Sequence, residues 1–272
     1  MERRVVRYEV EDRIATVTLD RPDRLNAWTG RMSVEYRSCL AMAAGDDDVR
    51  VIVVTGAGRG FRSGADSEAL AGHAARGGYD PGLGDDPARP GYGVRPEWDA
   101  DLAYHFGIPK RILAAVNGPA AGIGFALACY CDLRFAAAGA KLTTAHGRLG
   151  LPAELGLSWL LPRLVGVTHA ADLLLSSRVV LAEEAVSMGL FNGVLAQDAL
   201  MGHVLAYARR LADGVSPSSM AETKHQLYRD LLGSATPAAA VEDAEAAMNR
   251  MMSEPDYAEG VAALREKRPP RF

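Results

Sequence analysis

Cysteine is scarce, three residues in 272, and an odd number cannot all pair. The Cys129-Tyr130-Cys131 spacing has no companion Cys or His of the sort that builds a structural zinc site. Cys39, Cys129 and Cys131 therefore read as reduced core residues. His105, His169, His203 and His225 are scattered singly and no H-E-x-x-H pair occurs, so no metal site is expected. No apolar run is long enough to cross a bilayer, and Met1-Glu2-Arg3-Arg4 leads directly into strand-like residues rather than into a secretory apolar region. These features predict a cytoplasmic protein without membrane contact. Lys and Arg total 30 against 34 Asp and Glu, a net charge of −4. With no long basic run to follow a phosphate backbone, nucleic acid is not expected as a partner.

Apolar residues, in contrast, are plentiful. At 49% hydrophobic and 24% charged, the chain can bury a full core, of one large domain or two ordinary ones. Val5 to Val10 and Ile14 to Leu19 are β-prone and separated by Glu11-Asp12-Arg13, which predicts a hairpin. A helix is expected over Asn26 to Ala44. Val51 to Val54 and Ile112 to Val116 are continuous runs of the kind that form strands buried on both faces. Each is followed by a glycine-bearing loop and a helix, the order of an α/β core with sites at strand ends. Gly72 to Gly93 lacks periodicity and reads as a long loop beside the site. From Asp198 onward the pattern turns helical over Leu200 to Leu211, Ser219 to Leu232, Pro237 to Met252 and Asp256 to Lys267. The expected organisation is a core over 1–197 and a helical region over 198–272.

Two loops carry the functional signal. The first runs from Gly56-Ala57-Gly58 through Gly60-Phe61-Arg62-Ser63-Gly64-Ala65-Asp66. The second is Asn117-Gly118-Pro119-Ala120-Ala121-Gly122-Ile123-Gly124-Phe125-Ala126. Glycine allows close backbone approach, and a helix amino terminus adds partial positive charge, so two such loops can aim N–H groups at one oxygen. Either loop alone is equally well an ordinary strand-to-helix turn.

In this order the loops resemble the crotonase, or enoyl-CoA hydratase/isomerase, superfamily. The similarity includes Leu19-Asp20-Arg21-Pro22-Asp23-Arg24-Leu25-Asn26-Ala27, Ser63-Gly64-Ala65-Asp66, Ala114-Ala115-Val116-Asn117-Gly118 and Cys131-Asp132-Leu133. It continues through Leu161-Pro162-Arg163-Leu164-Val165-Gly166 to the final Glu266-Lys267-Arg268-Pro269-Pro270-Arg271-Phe272. The resemblance implies an α/β spiral of ββα units followed by helices that build a homotrimer or hexamer. It further implies an acyl-CoA thioester substrate, with no cofactor beyond the CoA that the substrate carries. Position by position, the oxyanion donors would be the backbone N–H groups of Ala65 and Ile123. Arg24, Ala27, Asp66, Ser67 and Lys267 would hold CoA. Relatives often have Gly where Ile123 stands; the β-branched side chain predicts an α or β backbone there.

Hydratases of this family use two glutamates, and the matching positions here hold Ala126 and His146. Water addition needs two such groups, so a conventional hydratase is not expected. Glu154, among Leu151, Pro152, Leu155 and Leu157, offers a carboxylate in a setting expected to desolvate it and raise its basicity. It reads either as the catalytic base or as a helix-starting Glu. His146 reads either as an acid–base group or as a hydrogen-bonded wall residue. Trp159 and Arg163 are expected to be structural, and Tyr92, Trp98 and Tyr104 either cap the acyl pocket or pack together. The leading expectation is isomerisation or related α-proton chemistry through an enolate. The alternatives are an atypical hydratase, a dehalogenase-like hydrolase with Glu154 as nucleophile, and a non-catalytic acyl-CoA-binding protein.

Overall fold

The computed structural model describes residues 3–64, 91–233 and 236–272. Strands β1 (Val6–Glu11) and β2 (Ile14–Leu19) pair antiparallel from Val6 opposite Leu19 to Glu11 opposite Ile14. Asp12 and Arg13 alone make the turn, with φ of 49° and 62°, the doubly left-handed arrangement that suits the twist of a two-residue hairpin. Helix α1 (Gly30–Gly45) starts four residues later than expected. Residues 26–29 are instead drawn into a turn, because the Asn26 side chain bonds Arg21, Ala57 and Gly60 and the Thr29 hydroxyl caps Met32. Within α1, buried Glu35 accepts the main-chain N–H groups of Arg4, Val5 and Val6 and so ties the helix to the start of β1.

From β2 onward the main sheet is parallel, through β3 (Val51–Gly56), β4 (Arg111–Val116), β6 (Leu133–Ala137) and β9 (Gly193–Leu195). Between β4 and β6 the chain makes the two-residue strand β5 (Ala120–Ala121) and helix α2 (Ile123–Tyr130). After β6 it makes β7 (Lys141–Thr143), which pairs parallel with β5 in a second, small sheet. Each turn of chain thus adds one strand to each sheet, and the result is a spiral. Helix α3 (Leu157–Ser176), bent at Gly166, then leads through β8 (Val180–Leu181) and α4 (Ala182–Ser187) to β9.

The alternation of side chains across a strand divides the core in two. Ile52, Val54, Ile112 and Ala114 face the cluster that holds α1, α2 and α3, whereas Val51, Val53, Leu113 and Ala115 face the other side. That second face is covered by α5 (Leu200–Gly214), whose Leu200, Val204, Ala208 and Ala212 recur every four residues as one stripe. Helices α6 (Pro217–Leu231), α7 (Pro237–Met251) and α8 (Pro255–Glu266) follow. Three donors converge on Asp132, at the start of β6: the Ile112 N–H at 2.7 Å, the Tyr228 hydroxyl at 2.7 Å and the Lys224 ammonium. The last two come from α6, so the helical region is fastened directly to the sheet.

All three cysteines are free and buried. Burial pushes the Cys39 thiol up to about 11 and Cys129 to about 12. Among the described residues no helix is long and apolar enough to cross a membrane.

Candidate active site

The two glycine-bearing loops meet at the ends of β3 and β4. Buried Asn117 brackets the first of them: its Nδ2 donates to Gly56 O at 2.8 Å and Gly58 O at 2.9 Å, and its Oδ1 accepts the Gly56 N–H. Asn26 does the same from the other side through Ala57 O and Gly60 O. The loop is then joined to the second at Arg62. The Arg62 N–H donates to Pro119 O at 2.9 Å, and Arg62 O accepts from Ala121 N at 3.0 Å. Two residues on, Gly64 O accepts the Trp28 N–H at 2.9 Å.

Gly122, just before α2, has φ 52° and ψ −120°, a conformation open only to glycine. Its N–H is held by Thr143 O at 3.0 Å, and its carbonyl accepts from Ala126 N at 3.0 Å as the first bond of the helix. Because the C=O and N–H of a planar trans peptide point in opposite directions, the Ile123 N–H is directed out of the helix amino terminus. Ile123 begins α2 with an ordinary helical backbone, as its β-branched side chain predicts.

His146 lies three residues beyond the Thr143 that holds Gly122, and it is 5% exposed. Its turn is pinned to the end of α3. The Thr144 hydroxyl donates to Leu173 O, the Gly147 N–H to Ser177 Oγ, and His146 Nε2 to Leu174 O at 3.1 Å. A carbonyl only accepts, so Nε2 carries the hydrogen of this bond. That Nδ1 is buried with no hydrogen-bond partner. Ala126, at the other hydratase carboxylate position, is fully buried.

Glu154 departs from its expected setting. It is exposed, and Leu151 beside it is 42% exposed, so the neighbouring apolar side chains do not enclose it within one chain. The reason lies in the turn. Leu155 and Gly156 are both left-handed, with φ of 54° and 66°, and Leu155 O is bonded to the Tyr130 hydroxyl at 2.8 Å. The backbone is thereby fixed inward and the carboxylate turned outward; among the described residues it has no ion-pair partner.

Arg24 is exposed on the turn that follows β2, and its carbonyl accepts from Ala27 N at 3.0 Å. Buried Ala27 also gives its carbonyl to the Arg21 guanidinium at 2.7 Å. Lys267 is exposed at the end of α8. No hydrogen bond or ion pair among the described residues joins it to the Arg24 turn. Ala65, Asp66 and Ser67, and most of the loop expected over Gly72 to Gly93, lie outside the described residues.

Of the aromatic residues considered for the acyl pocket, half-buried Tyr92 stacks on buried Tyr104 at 4.8 Å, and buried Trp98 packs against His225. Arg163 lies over the Trp159 ring at 4.2 Å and bonds Leu231 O at the end of α6, a structural pair. Sequence reasoning passed over Asn26, Asn117 and Arg62. Asn117 and Arg62 are buried polar side chains inside glycine-rich loops, and Asn26 is one in the turn after β2 that bonds the first of those loops, a combination that signals loops built around their own hydrogen bonds.

The family model for enoyl-CoA hydratase/isomerase matches residues 9–272. The chain belongs to the enoyl-CoA hydratase/isomerase family. A probable enoyl-CoA hydratase of Mycobacterium bovis is 36% identical over 95% of this chain and 89% of its own length. The 1,2-epoxyphenylacetyl-CoA isomerase of Escherichia coli is 32% identical, over 97% of this chain and 96% of its own. The crystal structure of a probable enoyl-CoA hydratase/isomerase from Mycobacterium abscessus superposes with a TM-score of 0.85 at 33% identity, covering 98% of both chains. The spiral of strands described above is thus the crotonase fold.

Proposed function

We propose that this family member acts on acyl-CoA thioesters by α-proton chemistry, double-bond isomerisation first among such reactions. One observation carries the reading. The Ile123 N–H is kept at the helix amino terminus, while the two hydratase carboxylate positions hold a buried Ala126 and a buried His146. The chain retains the means to polarise a thioester carbonyl and has lost the paired carboxylates that add water across a double bond.

In this reading the thioester oxygen sits between the N–H groups of Ala65 and Ile123. Such donors favour the enolate over the ground state because the enolate oxygen carries more charge, a gain of about 3–4 kcal/mol per donor. Glu154 removes a proton from C2 of a β,γ-unsaturated thioester. The electron pair moves into the carbonyl, giving the dienolate, and the proton returns at C4 to leave the α,β-unsaturated isomer. His146, locked through Nε2, presents Nδ1 as a fixed acceptor that orients the reacting segment. Arg24, Ala27, Asp66, Ser67 and Lys267 hold the CoA portion. The exposed apolar residues of α7 and α8, among them Met248, Tyr257 and Leu264, suit burial between copies in a homotrimer or hexamer. In such an assembly Lys267, exposed at the end of α8, would reach a neighbouring subunit.

The test is to incubate the protein in D₂O with a panel of acyl-CoA thioesters and to follow mass and product. The expected result is deuterium at carbon with a shifted double bond and no added water. A water adduct would identify a hydratase, halide release from a haloacyl thioester a hydrolase, and binding without exchange a non-catalytic protein; each would overturn the reading.

A further inference from the structure

Arg62 is the largest fully buried side chain among the described residues. Its position in the chain is unusual in three respects. Its main chain splices the two loops, through Pro119 O and Ala121 N, and forms a parallel bridge with Ala120. Its backbone also presses on α2: a Cβ added at Gly124 would lie 2.4 Å from Arg62 O and 2.9 Å from Arg62 Cβ. Residue 124 is therefore confined to glycine by Arg62, and Gly124 directly follows the expected donor Ile123. Finally, the guanidinium lies over the Trp28 ring at 4.0 Å.

Trp28 closes the arrangement. Trp28, 8% exposed, lays its ring over the Arg62 guanidinium, and its main-chain N–H donates to Gly64 O. This bond fixes the direction of the Gly64 carbonyl, the last one before the segment expected to carry the other donor. Arg62 is thus tied on one side to the segment that enters residue 123 and on the other, through Trp28, to the segment that leaves residue 64. A cation stacked on an indole away from water is held by the negative face of the ring, and unlike a lysine the planar guanidinium can stack on it.

Building on the proposed thioester chemistry, we propose that Arg62 is a positioning residue that sets the separation and orientation of the two oxyanion-hole segments, with Trp28 as its clamp. It touches no substrate. Its effect falls on the polarisation of the bound carbonyl and on turnover, and not on the grip on CoA.

The experiment compares wild type with Arg62→Lys and Arg62→Met, and with Trp28→Phe as the mildest change. Each protein is examined for cooperative melting, for affinity toward free CoA, for the rate of α-proton exchange, and for the absorption maximum of bound cinnamoyl-CoA, whose red shift reports carbonyl polarisation. The expected result is free-CoA affinity within error of wild type, a smaller red shift, and exchange slowed about a hundredfold in Arg62→Met, the usual cost of a displacement near 1 Å. Arg62→Lys should fall between. Folded Arg62 variants with wild-type red shift and exchange would overturn the proposal. If neither Arg62 variant folds, Trp28→Phe decides: an unchanged red shift overturns it and a reduced one supports it. A wild-type protein that gives neither exchange nor red shift with any thioester sinks the thioester reading and this proposal with it, whereas active wild type with indistinguishable variants sinks this proposal alone.

Discussion

Lys224 Nζ lies 2.9 Å from Asp132 Oδ2, with 2% and 8% of the two side chains exposed. The ammonium also donates to Lys110 O at 3.0 Å, so a charge taken from water is met by a carboxylate and a carbonyl together. Removing one partner leaves the other charge buried alone. Lys224→Met or Asp132→Asn should each cost about 3–5 kcal/mol, measured by denaturant unfolding. The double variant should lose less than the sum, and strict additivity would argue against the pair.

His105 is fully buried, with Nε2 3.1 Å from the Tyr36 hydroxyl. Burial first, and the Lys224 charge second, lower its pKa from 6.5 to about 3. Below pH 6.5 the unfolded chain takes up a proton that the folded chain refuses, so the contribution of this residue is complete above that pH and lost as pH falls toward 3. The slope is about 1.4 kcal/mol per pH unit. His105→Gln, which keeps a donor toward Tyr36, should flatten the stability profile between pH 6.5 and 4.5; an unchanged slope there would count against a neutral buried imidazole.

Gly122→Ala tests the backbone that aims the Ile123 N–H. Space is not the obstacle, since the nearest atom to an added Cβ is Thr144 O at 3.9 Å; the obstacle is φ of 52°. Destabilisation of about 1–3 kcal/mol is expected from the strained dihedrals, together with slower exchange at unchanged CoA affinity. A variant as stable and active as wild type would show that the turn is not required.

Glu154→Gln keeps shape and removes basicity. It should slow α-proton exchange at least about a hundredfold with thioester affinity nearly intact, the lower range for a positioned general base. His146→Ala should cost less. The reverse order would transfer the base to His146 Nδ1.

Leu264 is 80% exposed on α8. Sedimentation of wild type at micromolar concentration should give three or six chain masses, and Leu264→Glu should shift the distribution toward monomer. A monomeric wild type would remove the assembly proposal and the Lys267 role with it.

The strands were readable in the sequence because burial on both faces leaves a simple trace: Val51 to Val54 and Ile112 to Val116 are apolar throughout and pair side by side in the parallel sheet. The start of α1 was not, because Asn26 and Leu25 hold left-handed backbones for hydrogen bonds to residues 57–60, contacts that no local pattern reveals. The helix at Ile123 followed from Gly122 and the Ala-rich run. The surroundings of Glu154 did not follow from its apolar neighbours, since two consecutive left-handed residues turn that carboxylate outward. Arg62 was hidden for a different reason: one arginine among glycines looks like a surface cation until the fold closes over it.

The convergence on Asp132 also bears on how the chain is made. Its carboxylate receives Ile112 from β4, but Lys224 and Tyr228 are encoded some ninety residues later. During vectorial synthesis the carboxylate therefore lacks these two donors until α6 has left the ribosome. A nascent chain halted between β9 and α6 holds all of the described strands yet leaves a carboxylate at the start of β6 without its two side-chain donors, which makes such a stalled product a natural client for chaperones and a target for proteases.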